Sequence, residues 1–173
     1  RRAFVGGGET NIATGIKSVI SGGETNTASG ITSVIAGGSN NSALGDSSSI
    51  LGGRSNTTSG KYASVLGGIG LKLGAKSVGY SGQSGITQTD LSGTSNIAYF
   101  GDVNLWIGNT NSSAGELRFY EPNSSSTYAG TNYTSFKAAT QNSDIIYTLP
   151  LVPGNINDVL HNDGAGNLLW ANP

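Results

Sequence analysis

The sequence predicts an all-β chain in which a parallel β-roll, or solenoid, of fifteen-residue repeats precedes a small antiparallel β-domain. Three observations carry that expectation. Glycine supplies 28 of the 173 residues without a collagen-like period, which leaves either disorder or a backbone-dominated repeat fold. From Gly7 the chain reads, without a gap, GGETNIATGIKSVIS, GGETNTASGITSVIA, GGSNNSALGDSSSIL, GGRSNTTSGKYASVL and a degenerate GGIGLKLGAKSVGYS, and a fixed period decides for the repeat fold. After the polar connector the pattern changes to short apolar and aromatic segments between Gly, Asn and Pro turns, IAYFGD, VNLWIGN, GELRFYEP, TSFKAAT, DIIYTLPL and NLLWANP, the signal of small antiparallel sheets.

Each column of the repeat has a physical reason. Agreement at spacings of two inside a short segment describes strands rather than helices. Each block therefore supplies one strand around Asn11 to Gly15 and one around Ser18 to Gly22. Successive blocks stack as parallel rungs about 4.8 Å apart, so five of them build a coil of roughly 20 to 25 Å. The Gly pairs, from Gly7/Gly8 to Gly67/Gly68, suit sharp corners and close approach of neighbouring rungs. Asn11, Asn26, Asn41 and Asn56 form a column whose amides can bond to the rungs above and below and satisfy turn backbone. Val5, Ile20, Ile35, Ile50 and Val65 fill the coil, among small neighbours such as Ala3, Ser18 and Ala28.

A coil this thin buries little apolar area per residue. The other face of the Ile-bearing strand carries Val19 and Ser21, Val34 and Ala36, Ser49 and Leu51, and Ser64 and Leu66. One apolar residue per turn on that face calls for a covering surface, most simply the same surface of symmetry mates. An obligate homotrimer is the expected partner arrangement. The expected domains are a roll over 1–82, a polar linker over 83–98 and a small trimeric β-domain over 99–173.

Composition excludes several classes. Nine Lys and Arg against ten Asp and Glu, for a net charge of −1, argue against nucleic acid as a partner, since phosphate binding needs a basic stripe. No uninterrupted apolar run is long enough to span a bilayer, so direct membrane insertion is not expected. Without cysteine there is no disulfide scaffold and no thiolate metal site. The absence of Met suggests a processed product or an excerpt of a longer chain.

The run SVISGGETNTASGITSVIAGGSNNSALG, with Ala13, Gly15, Ser18, Val19 and Gly22 repeated at Ala28, Gly30, Ser33, Val34 and Gly37, resembles the repeats of YadA-like head domains of trimeric autotransporter adhesins. The resemblance covers roughly residues 3 to 82. It implies a trimeric left-handed parallel β-roll on a bacterial or viral surface fibre. Farther on, GELRFYEP, YTSFKAA, IIYTLPL and LLWANP, over about residues 114 to 173, resemble a module near the C-termini of phage tail-fibre-like and bacterial surface proteins. That module often precedes a self-cleaving intramolecular chaperone, so an end at Pro173 fits a mature cleaved chain, and equally an arbitrary end.

Candidate chemistry is sparse. The single histidine, His161, stands beside Asp158 and Asp163, but no spacing brings a particular Ser to it, so the expectation is a polar residue flanking the hairpin loop Asp163–Asn167 rather than a catalyst. No catalytic residue, metal site or cofactor is expected. Glu9 and Glu24 share a column at what should be a solvated corner, and a glycosidase pair would need a cleft. The repeats hold only Asp46, against the Asp-rich nonapeptides of calcium-binding rolls. Ile12/Thr14, Thr27/Ser29 and Ser42/Leu44 are not the uniform threonine array that ice binding would suggest.

Aromatic residues gather in the second half. NSSSTYAGTNY places rings beside amides and hydroxyls on a loop, the groups that hold glycans, which makes Tyr128, Asn132 and Tyr133 the ligand-binding candidates. Sequons at Asn40, Asn56, Asn111, Asn123 and Asn132 matter only in a eukaryotic secretory pathway. The expected role is a non-enzymatic fibre segment outside a cell or on a virion, attaching to a cell-surface glycan or protein receptor and joined to other fibre proteins. A carbohydrate-cleaving spike and a purely architectural spacer are the alternatives.

Overall fold

The computed structural model describes residues 2–85, 87–108, 114–120, 132–139 and 141–172. Among them there is no helix, and the chain divides into two units, Arg1–Leu105 and Trp106–Pro173. The first unit contains, in chain order, β1 (Phe4–Val5), β2 (Ile12–Ala13), β3 (Val19–Ile20), β4 (Thr27–Ala28), β5 (Val34–Ile35), β6 (Ser42–Ala43), β7 (Ser49–Ile50), β8 (Thr57–Thr58), β9 (Ser64–Gly68), β10 (Leu71–Leu73), β11 (Val78–Ser81), β12 (Thr89–Leu91) and β13 (Ala98–Gly101). Odd-numbered strands form one parallel sheet of seven and even-numbered strands another of six. Together they make a parallel β-solenoid of about six turns.

Register follows the sequence period through the first four turns: Val19 pairs Val34, Val34 pairs Ser49 and Ser49 pairs Ser64 on one sheet, and Thr27 pairs Ser42 on the other. Ile20, Ile35, Ile50 and Val65 are fully buried, together with Ala28, Ala43 and Ala63. Val5 lies in the same column but is 41% exposed, because the first described rung is covered on one side only. The narrowness of the coil has a backbone cause as well. A Cβ on Gly30 would lie 2.1 Å from the carbonyl oxygen of Gly45, so only glycine lets those two rungs reach hydrogen-bonding separation.

The fifth turn changes the core without breaking it. Opposite Val65 stands Gly79, not Tyr80 as a strict fifteen-residue count would place, and a bulge follows between Gly79 and Tyr80. Leu71 and Leu73 occupy the Asn and Ala columns of that turn and are fully buried. A Cβ on Gly79 would come within 2.9 Å of Leu71 Cδ2 and 3.4 Å of Leu73 Cδ1. Two large side chains on one sheet thus replace the isoleucine of the other, keeping the volume of the coil filled.

The roll runs past residue 82, where the sequence reading ended it. Residues 83–98, read as a linker, contain β12, which pairs with β10 in parallel (Leu71 with Thr89, Leu73 with Leu91). The segment IAYFGD, read as part of the antiparallel domain, supplies β13, parallel to β11. This last turn is longer than the others, with Val78 opposite Ala98, and the inserted residues hide the period from a fixed-length search. Tyr99 packs against the core.

Among its described residues the second unit holds two antiparallel hairpins, β14 (Glu116–Tyr120) with β15 (Tyr133–Lys137) and β16 (Val159–Asn162) with β17 (Leu168–Ala171). Two other segments read as strands differ: VNLWIGN has no described strand, and in DIIYTLPL only Thr148 forms a bridge, to Asn167. Asp163 organises the β16–β17 loop, accepting from the Ala165 N–H at 2.8 Å and from Asn167 Nδ2 at 2.7 Å. The Asn167 side chain, then the Ala165 amide, hold its carboxyl below the usual aspartate range.

Candidate ligand-binding face

The geometry of the β14–β15 hairpin sorts its side chains by the period-two rule. Cross-strand pairs Glu116–Lys137, Arg118–Ser135 and Tyr120–Tyr133 share one face. The pairs Leu117–Phe136 and Phe119–Thr134 share the other. Rings meet within each face: Tyr120 and Tyr133 have centroids 5.4 Å apart, and Phe119 meets Phe136 edge-on at 6.2 Å. The hairpin is therefore amphipathic, with exposed Leu117, Phe119 and Phe136 on its apolar side.

On the polar side, Arg118 lies over the Tyr133 ring, 4.4 Å from its centroid, a cation–π arrangement. Glu116 fixes the guanidinium, with Arg118 Nε donating to Oε1 at 2.6 Å and Arg118 NH2 bonded to the same oxygen. That contact holds the Glu116 carboxyl below its ordinary range, helped by Ser135 and the field of Lys137, and pushes Arg118 upward. At the Tyr120–Tyr133 end of the strand pair, Phe119, Tyr120, Asn132, Tyr133 and Thr134 line a concavity of about 320 Å³.

Of the three residues singled out from the sequence, Asn132 and Tyr133 lie in this concavity, whereas Tyr128 falls outside the described residues. Sequence reasoning missed Arg118, Tyr120 and Lys137. Their signal was present in the alternation of GELRFY and YTSFK, but pairing the two strands requires a register that the long intervening segment does not reveal.

The remaining candidates are engaged locally. His161 Nδ1 lies 3.0 Å from the Leu169 carbonyl oxygen, and Asp158 accepts from the Asn155 N–H at 2.6 Å. Glu9 and Glu24 are bridge partners on an exposed corner, in line with Ser39 and Arg54. Among the described residues no group of three or more His, Cys, Asp or Glu converges on a point. Of the sequons, Asn40 is exposed in a turn, and Asn56 is fully buried with its amide committed to Gly52 and Gly68 oxygens; Asn111 and Asn123 lie outside the described residues.

A second surface is defined by what it lacks. Along the seven-stranded sheet the outward column is Phe4, Val19, Val34, Ser49, Ser64, Val78 and Ala98 in register, beside Ser21, Ala36, Leu51 and Leu66. None of these is charged. The charged residues lie elsewhere: Glu9, Glu24 and Arg54 in one corner column, Lys17, Asp46, Lys61 and Lys76 in the opposite turns, Lys72 with Asp90 on the other sheet, and Arg2 and Asp102 just before β1 and just after β13. No family model, curated protein or solved structure matches the chain.

Proposed function

We propose that the chain is a non-enzymatic segment of a homotrimeric surface fibre, outside a cell or on a virion, whose left-handed roll spaces the C-terminal unit and whose hairpins contact a receptor. One observation carries the proposal. Among the described residues from Trp106 to Asn172, none is buried in the single chain. Trp106 is 88% exposed, Ile156 91% and Leu151 fully. A unit this apolar and this open has no core among its described residues, and its ordering entropy must be offset by burial against other copies.

The uncharged outer face of the seven-stranded sheet supports the same arrangement, because charge is depleted where surfaces pack. The likeness of the repeats to YadA-like heads is the ground for three copies and for the left-handed winding. Attachment, rather than catalysis, accords with the local engagement of His161, Asp158 and Asp163.

Trp106 supplies the test. In a Trp170→Phe chain, its fluorescence should be blue-shifted in the assembled protein and move to the solvent-exposed wavelength when assembly is broken by Leu151→Glu. An exposed spectrum in the parent chain would overturn the assembly. A glycan array blank at every spot would favour a pure spacer, and release of sugars from a polysaccharide would favour the cleaving spike.

A further inference from the structure

We propose that the Tyr120–Tyr133 face of the β14–β15 hairpin binds a carboxylated saccharide, with the rings against the sugar and Lys137 and Arg118 toward its carboxylate. The inference rests on the fibre reading for its context and deepens it by naming the ligand class.

Charge distribution is the first argument. From Trp106 onward the sequence has two basic residues, Arg118 and Lys137, against Glu116, Glu121, Asp144, Asp158 and Asp163. Both cations fall on one face of one hairpin, in a unit otherwise acidic. Glu116 is the one carboxylate that the pairing puts on that face, so the face carries a net positive charge that a monoanionic ligand complements.

Preorganisation is the second argument. Arg118 is held against the Tyr133 ring by Glu116, which reduces the side-chain entropy lost on binding. Lys137 has no hydrogen-bond or ion-pair partner at contact distance among the described residues, and Glu116 acts on it only through its field. It is the cation available for a new charge-assisted bond. The tilted Tyr120–Tyr133 pair offers ring faces to the apolar side of a pyranose, and each tyrosine adds a hydroxyl. The apolar Leu117 and Phe136 lie on the reverse side, so covering them by another copy leaves this face open.

Calorimetric titration of the full chain with a uronic-acid oligomer and with its carboxyl-reduced, neutral counterpart tests the assignment. The acidic oligomer should bind at least about tenfold more tightly, with an affinity that falls as salt is added. Lys137→Gln should weaken binding about fivefold or more, Tyr133→Ala should abolish it, and Tyr133→Phe should retain most of it. Equal affinity for both oligomers, no binding of either, or no effect of Lys137→Gln would overturn the site. Light scattering on the same samples separates the two readings: a trimer that does not bind overturns only the site, whereas a monomer that binds overturns only the fibre.

Discussion

Asn41 and Asn56 are joined through the rungs: the Asn56 backbone N–H donates to Asn41 Oδ1 at 3.0 Å. Asn41 Nδ2 donates in turn to the carbonyl oxygens of Gly53 at 2.9 Å and Gly37 at 3.2 Å. The same three bonds recur at Asn26. Each amide satisfies backbone groups in its own corner and in the next rung, and the bond from one Asn N–H to the preceding Asn Oδ1 is buried, where an unpaired group is costly. The series stops at Leu71, whose N–H donates to Asn56 Oδ1 at 3.0 Å and whose side chain has no amide to pass on.

Replacing Asn41 should therefore disable two rungs at once. Asn41→Ala orphans the buried Asn56 N–H and takes the amide donor from the Gly37 oxygen, whereas the Gly53 oxygen keeps the Ser39 N–H at 3.0 Å; the orphaned N–H alone costs about 1–3 kcal/mol. Asn41→Asp keeps the acceptor but sets a carboxylate against two carbonyls, and should be at least as damaging. Urea unfolding of both variants measures the loss.

Two glycines in adjacent corners should behave oppositely. Gly30→Ala places its Cβ against Gly45 backbone atoms at 2.1 and 2.5 Å, which cannot rotate away, so the rungs must separate and the roll should lose several kcal/mol, about 3 or more. Gly37→Ala meets nothing within 4 Å and should be neutral or stabilising by up to about 1 kcal/mol, through the unfolded chain. Thermal melts of the pair check the contrast.

Thr25 has φ 56°, and its column continues through Asn40 at 56°, Ser55 at 59° and Gly70 at 65°. A β-branched residue in the left-handed region is strained by about 1–2 kcal/mol. The Thr25 N–H donates to the Glu9 carbonyl at 2.9 Å, a bond that asparagine can keep. Thr25→Asn should raise the melting temperature, and Thr25→Val should not.

Acid should weaken the roll in a defined window. Asp90 accepts from the Ser92 hydroxyl at 2.6 Å, from the Ser92 N–H at 2.9 Å and from Lys72 Nζ at 3.0 Å. Those contacts, Ser92 first, lower its pKa from 3.8 to about 2. Because the folded value lies below the unfolded one, the contribution is complete above the unfolded pKa and lost as pH falls toward the folded one. Asp46, bonded to the Ile31 N–H and Lys61, shifts in the same direction. Melting temperature should fall between about pH 4 and pH 2, by a small amount because these groups are exposed, and less so in Asp90→Asn.

The roll was legible because its period fixes columns, and columns fix which side chains stack. Ile20, Ile35 and Asn41 could be placed from the repeat alone. Gly79 and β12 could not. Their register depends on a bulge and on an enlarged last turn, and volume shared between Leu71, Leu73 and Gly79 appears only when the two sheets face each other. In the second unit the Asp163–Asn167 loop had a turn signature, whereas the pairing of Tyr120 with Tyr133 had none. Composition singles out Tyr133; that Arg118 and Lys137 share its face follows only from register.

The central claim is that this fold is completed by identical copies, and the most direct measurement is the molar mass of the purified chain by light scattering during gel filtration. The trimer account expects three times the 17.5 kDa of one chain, with the assembled species unfolding as a unit. A cooperatively folded species with the mass of a single chain would contradict it.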